Sequence, residues 1–227
     1  MAQSFYVSPE QLMQDKAEFA KKGIGRGRAT VVMRASEGVL FVAHNPGASL
    51  HKISEIYDRV GFAGAGRYSE FESMRKAGVR HADVTGYTYS REDVNARSLA
   101  NGYSQMLGEV FAHEVKPMEV ELAVAQAGDS PDADEIYRIS FDGNISSEGA
   151  YAVVGGDTEK VLSYLEAHFS EVGDLAASLK LCRDALQEAS DDPLTAADFE
   201  VGFIERGTTG RAFQRLSTDR VETLLSG

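Results

Sequence analysis

A chain of 227 residues, 43% hydrophobic, with 35 acidic against 23 basic side chains, has enough apolar material for the core of one ordinary domain and shows no linker. Its net charge of −12 argues against nucleic acid or an anionic membrane as the main partner, because both need a basic footprint. The apolar runs are too short to span a membrane, Met1–Phe5 does not read as a leader, and the single Cys182 allows neither an internal disulfide nor a multi-cysteine metal site, so the expected compartment is the reducing cytoplasm.

The first helix is announced by Ser8-Pro9-Glu10-Gln11, where Ser8 can cap, Pro9 suits the first helical position and Gln11 completes a capping box, with Val7 and Leu12 as a hydrophobic staple. It is expected to run to about Lys22 and to end in the glycines of Gly23–Gly27. Four strand patterns follow, at Ala29–Met33, Val39–Ala43, Lys52–Ile56 and Val60–Ala65. Helical spacing returns over Arg67–Lys76 and again from Ser90, taken as a cap, to Phe111.

Period two then reappears at Val120, Leu122 and Val124, and at Tyr137, Ile139 and Phe141, which lead into the tight turn Asp142-Gly143-Asn144. Tyr151–Val154 is a third strand. Asp157 and Asp174 read as caps of two helices, with Val161, Leu165 and Phe169 on the inner face of one and Leu175, Leu179, Cys182 and Leu186 on that of the other. Strands Phe199–Ile204 and Ala212–Leu216 and a helix Thr218–Leu225 close the chain. Runs of strands separated by helix pairs point to an α+β fold of two antiparallel sheets packed face to face, with helices outside.

The glycine clusters Gly23–Gly27, Gly61–Gly66 and Gly155-Gly156 lack the strand-then-helix context or the Gly-Lys-Ser/Thr ending of a phosphate loop, so helix termination and close backbone approach explain them better. His44, His51, His81, His113 and His168 form no helical metal-binding pair. Cys182 sits at core spacing without the flanking signature of a thiol enzyme. Lys16, Lys21, Lys22, Arg26 and Arg28 form a basic stretch that reads equally as a solvated helix end or as a docking surface for a carboxylate or an acidic partner.

Ordered segments then carry a resemblance over nearly the whole chain: Phe5–Gln11, Glu18–Ile24, Gly38–Pro46, Ser49–Ala63, Asp93–Gly102 and Lys116–Leu122. In these the sequence resembles the α-type subunits of the proteasome core particle, in their actinobacterial form. The resemblance implies the four-layer αββα sandwich of N-terminal-nucleophile hydrolases. It implies one domain over residues 1–227, with a gating arm at 1–7, the α-type helix at 8–22 and the sandwich at 27–227.

Catalytic β-type relatives expose an amino-terminal threonine tuned by an aspartate and a lysine. On this chain the nucleophile position falls at Arg28, the aspartate position near Asn45, and only the lysine survives, as Lys52. Thr30 has no glycine before it, so no catalytic residue is expected and no cofactor is implied. The resemblance also implies a homo-heptameric ring, β-type subunits and a proteasomal ring ATPase or other activator as partners. Met1, Ala2, Gln3, Ser4, Phe5 and Tyr6 match the arm that crowds the axial pore, without the Tyr-Asp pair of archaeal and eukaryotic arms. Lys52, Gly66 and Glu18 match the pocket that receives the activator's carboxyl-terminal tail. A self-contained hydrolase of the same fold would instead turn over peptides alone, and a stand-alone ligand-binding domain would remain a monomer.

Overall fold

The computed structural model describes residues 8–47 and 49–227; the proposed arm at Met1–Tyr6 and the staple residue Val7 lie outside them. The chain opens with helix α1 (Pro9–Gly25), whose N-terminus is capped as the sequence indicates, Gln11 N–H donating to Ser8 Oγ at 3.2 Å. The Gln11 side chain turns forward to Asp15 at 2.7 Å, so only this half of the expected box is made. α1 also runs past Lys22 to Gly25, because Ile24 is buried with Ala20 and Phe141 and holds the last turn.

Strands β1 (Thr30–Ala35), β2 (Gly38–His44), β3 (Ile53–Tyr57) and β4 (Val60–Gly66) follow, then α2 (Tyr68–Thr88), α3 (Ala96–His113), β5 (Val120–Gln126) and β6 (Glu135–Ile139). The chain ends with β7 (Ile145–Glu148), β8 (Tyr151–Val154), α4 (Thr158–His168), α5 (Leu175–Glu188), β9 (Phe199–Glu205), β10 (Phe213–Leu216) and α6 (Thr218–Ser226). α2 runs twelve residues past Lys76, where its apolar spacing ends. Gly78 lets it lie so close to α3 that a Cβ there would overlap the Tyr103 hydroxyl. Ser90 caps only a 3-10 turn at Arg91–Asp93, and α3 has its own cap in Asn95, which accepts from Ser98 N–H at 2.9 Å. β7, an edge strand reached through the Asp142-Gly143-Asn144 turn, escapes the sequence pattern because Ile145-Ser-Ser-Glu148 is only partly buried. Phe141 leaves β6 to pack beneath α1.

The strands form two antiparallel five-stranded sheets, ordered β10-β9-β2-β1-β8 and β3-β4-β5-β6-β7. Helices α4, α5 and α6 cover the first sheet through Val31, Met33, Leu40, Val42 and Val201, while α2 and α3 cover the second through Phe62, Leu122, Val124 and Ile139. This is the four-layer αββα sandwich. Among the described residues no helix is long and apolar enough to cross a membrane.

Between the sheets, bulky Val32, Val39, Phe41 and Ile204 of the first meet Ala63, Ala65, Ala123 and Ala125 of the second. Phe41 fills the space over Gly61, where a Cβ would come within 2.6 Å of its ring. Since Phe41 is fully buried and large-to-small core changes of this kind cost about 3–5 kcal/mol, Phe41→Ala is expected to lower the urea midpoint of the isolated chain strongly without changing the slope of the transition.

Candidate functional site

The start of β1, the end of β2 and the start of β3 converge at one end of the sandwich. Lys52 is half-buried there, and its Nζ donates to the carbonyls of Arg28 at 2.8 Å and His44 at 3.3 Å. Burial, reinforced by the nearby Arg28 guanidinium and opposed by the Glu200 carboxylate, lowers the Lys52 pKa to about 8. Burial, then Arg28 and Lys52, also lower that of His44, against the opposing charge of Asp198. The site thus pairs two cations, Arg28 and Lys52, with an imidazole biased toward neutrality. Such a set can hold an anion.

Asn45 donates through Nδ2 to Glu200 at 2.7 Å and to the Leu50 carbonyl at 2.9 Å. Thr30 is fully buried in β1 and cannot reach a substrate. Gly66 ends β4 with a φ of +101°, and a Cβ there would overlap the Glu119 carbonyl, so only glycine fits comfortably. Lys52 and Gly66 border the same segment, since Lys52 binds the Arg28 carbonyl and a Cβ on Gly27 would lie 3.8 Å from Gly66 N. Glu18 stands apart on the exposed side of α1, where it accepts from Gln14 at 3.3 Å; no hydrogen bond or ion pair joins it to Lys52 or Gly66.

The basic stretch divides. Lys16 is buried and donates to the Phe111 carbonyl near the end of α3 at 3.0 Å, which makes it an anchor of α1, while Lys21, Lys22, Arg26 and Arg28 are exposed. The glycine clusters serve close approach: the Gly156 N–H reaches the Ile24 carbonyl at 3.4 Å and fastens the end of α1 to the sandwich. Cys182 is fully buried against Met33, and burial pushes its thiol pKa up, as suits a core residue.

The family described as Proteasome subunit matches residues 24–204, most of the chain. The chain belongs to the proteasome subunit family. Curated relatives named "Proteasome subunit alpha" place it beside the α-type members. That of Acidothermus cellulolyticus is 48% identical over 99% of this chain and 98% of its own. That of Arthrobacter sp. is 49% identical over 100% and 99%, and that of Thermomonospora curvata 48% over the same shares.

Within this proteasome-type fold, Glu200 and its partner Arg215 are the site residues that sequence reasoning missed. A glutamate inside the otherwise apolar run Phe199–Ile204 was the available signal, since a charge in a strand buried along its length has to be paired there.

Proposed function

We propose that this chain is the non-catalytic, ring-forming and gating subunit of a cytoplasmic proteasome core particle, and that Lys52 receives the carboxyl-terminal tail of a ring ATPase. The observation that carries the reading is the Lys52 ammonium held on the Arg28 carbonyl, at the position to which the family resemblance assigns the nucleophile of catalytic members. A disposable propeptide is also hard to reconcile with α1, which is fastened through Lys16, Ile24 and the close packing of Gly23 on Glu119.

Ring closure is assigned to the exposed side of α1. Leu12, Phe19 and Val115, exposed by 47%, 48% and 91%, line an apolar groove of about 230 Å³ with Lys16, Lys116 and Pro117. Surface of this kind calls for a partner, and a neighbouring copy in a heptamer would cover it. Glu18 on the same helix would then face a pocket shared between copies, which accounts for its distance from Lys52 and Gly66. The arm Met1–Tyr6 is assigned to the pore, and the opposite end of the barrel to β-type subunits.

The purified chain is expected to show no hydrolysis of a fluorogenic peptide, and activity is expected only after coexpression with a β-type partner bearing its own amino-terminal threonine. Turnover by the pure chain that Thr30→Ala abolishes would overturn the reading in favour of a self-contained hydrolase.

Deleting Met1–Tyr6 from the assembled particle should speed hydrolysis of long peptides more than of short ones. Equal rates for intact and truncated particles at every length would remove the gate.

For the pocket, a hydrogen bond between charged groups is worth roughly 1.5–3 kcal/mol, about one to two decades of affinity, and several tails on one ring multiply any loss. Lys52→Ala should therefore abolish stimulation by the ATPase or its tail peptide, expressed as a ratio to the unassisted rate of the same particle. Because the Lys52 pKa is lowered to about 8, its ammonium is present at pH 7 and titrates away above pH 8. Stimulation at constant ionic strength should fall over that range. An alanine variant stimulated as strongly as the parent would show that Lys52 is only a surface lysine.

A further inference from the structure

Glu200 is a buried carboxylate on β9, 4% exposed, that gathers donors from both sheets. Its Oε2 accepts from Asn45 Nδ2 at 2.7 Å and from the backbone N–H of Lys52 at 2.9 Å. Its Oε1 accepts from Ile53 N–H at 3.2 Å and from the Arg215 guanidinium, and lies 3.3 Å from His51 Nδ1. Arg215 also donates to the Ile53 carbonyl at 2.8 Å, so the pair holds the entry to β3 through both backbone polar groups of Ile53.

We infer that Glu200 is the positioning residue of the Lys52 pocket: its carboxylate fixes where the lysine leaves the backbone and so aims the ammonium at the Arg28 and His44 carbonyls. The inference rests on the docking role proposed for Lys52. β3 is an edge strand with only β4 beside it, and its first amides find their acceptor in the other sheet. Without Glu200, the N–H groups of Lys52 and Ile53 lose that acceptor, and an unpaired buried amide is costly. The start of β3 would then shift to find water.

The same geometry explains why position 45 holds an amide. An aspartate there would set a second carboxylate where Asn45 donates to Glu200 at 2.7 Å, and two carboxylates that close cannot both stay ionised. Asn45 instead bridges Glu200 to the Leu50 carbonyl and closes the loop that carries His51 and Lys52.

Besides aiming Lys52, Glu200 sustains its charge. The charged and titratable groups around the ammonium are Arg28, His44, His51, Asp198, Glu200 and Arg215, and Glu200 is the one whose charge directly opposes the lowering by Arg28.

The test reads Lys52 itself. Assembled particle is pulse-labelled with acetic anhydride from pH 6 to 10, and acetylation of Lys52 is followed by mass spectrometry, alongside the concentration of the synthetic ATPase tail peptide that gives half-maximal stimulation. In Glu200→Gln the labelling midpoint should fall below the parent's, and half-maximal stimulation should require about tenfold more peptide. Arg215→Gln keeps the Glu200 side chain and removes its guanidinium partner and a nearby cation, so the midpoint should move the other way, a sign reversal that loss of structure alone does not produce. Should Glu200→Gln fail to assemble, Arg215→Gln decides alone: a midpoint unchanged or lowered overturns the inference. A Glu200→Gln particle with the parent's labelling profile, or one with a shifted profile but unchanged peptide requirement, also overturns it. Lys52→Ala separates the two claims, because loss of stimulation there with none in Glu200→Gln refutes positioning alone, whereas normal stimulation refutes docking and the positioning role with it.

Discussion

Each sheet is covered on both faces, and the rest of the structure follows from that constraint. A strand in the middle of four layers must bury two sets of side chains, one against helices and one against the other sheet. β2 does so with Leu40 and Val42 outward and Val39, Phe41 and Ala43 inward. Burial at about 25 cal/mol per Å² of apolar surface therefore draws on both faces of β1, β2, β4, β5 and β9. The two inner faces interlock by size, with large side chains from the first sheet over alanine and glycine of the second, which lets the sheets approach closely.

Within so apolar a stack, every charge on an inward face must be paired. Glu200 is matched by Arg215 and a set of N–H donors. Glu121, on the inward face of β5, accepts from Gly155 N–H at 2.9 Å and pairs with Arg138 at 3.2 Å, although burial still raises its pKa. Asp134, fully buried, binds Arg206 at 2.7 Å and 2.9 Å, while Arg206 also donates to the carbonyls of Gly128 and Ala35. These pairs need not add much stability, because desolvation offsets most of the attraction, but losing one partner strands the other. They define the register between sheets, and at Glu200 that register sets the geometry of a surface pocket.

The added helix α1 is the feature that turns the sandwich toward assembly. It is tied down by a lysine on a helix-end carbonyl, by Ile24 in a small cluster with Phe141, and by the carboxylate of Glu119 packed under Gly23. Glu119 is in turn held by Arg67 at 3.3 Å and Lys116 at 3.1 Å, beside Glu70. The end of α1, the end of β4 at Gly66 and the Arg28 segment are thus one connected unit, and the apolar side of the helix is left facing away from its own domain.

Local physics was legible in the sequence. Ser8 and Asp174 cap the helices they precede, the Asp142-Gly143-Asn144 turn joins two strands, and most core positions of β1, β2, β4, β5 and α5 follow from apolar spacing, because caps, turns and periodicity act within a few residues. Ordered segments such as Ser49–Ala63 further carried the family, and with it the αββα arrangement and Lys52 as a residue to watch. Tertiary structure alone decided what depends on distant partners. The length of α2 rests on Gly78 meeting Tyr103, the edge strand β7 exists because β6 offers it a ladder, and Lys16 proves to be an anchor because Phe111 lies 95 positions away in sequence. Glu200 belongs to the same class: its role is set by Asn45, Lys52, Ile53 and Arg215, which only the packing of the two sheets brings to one carboxylate, and no local pattern encodes a convergence across that separation.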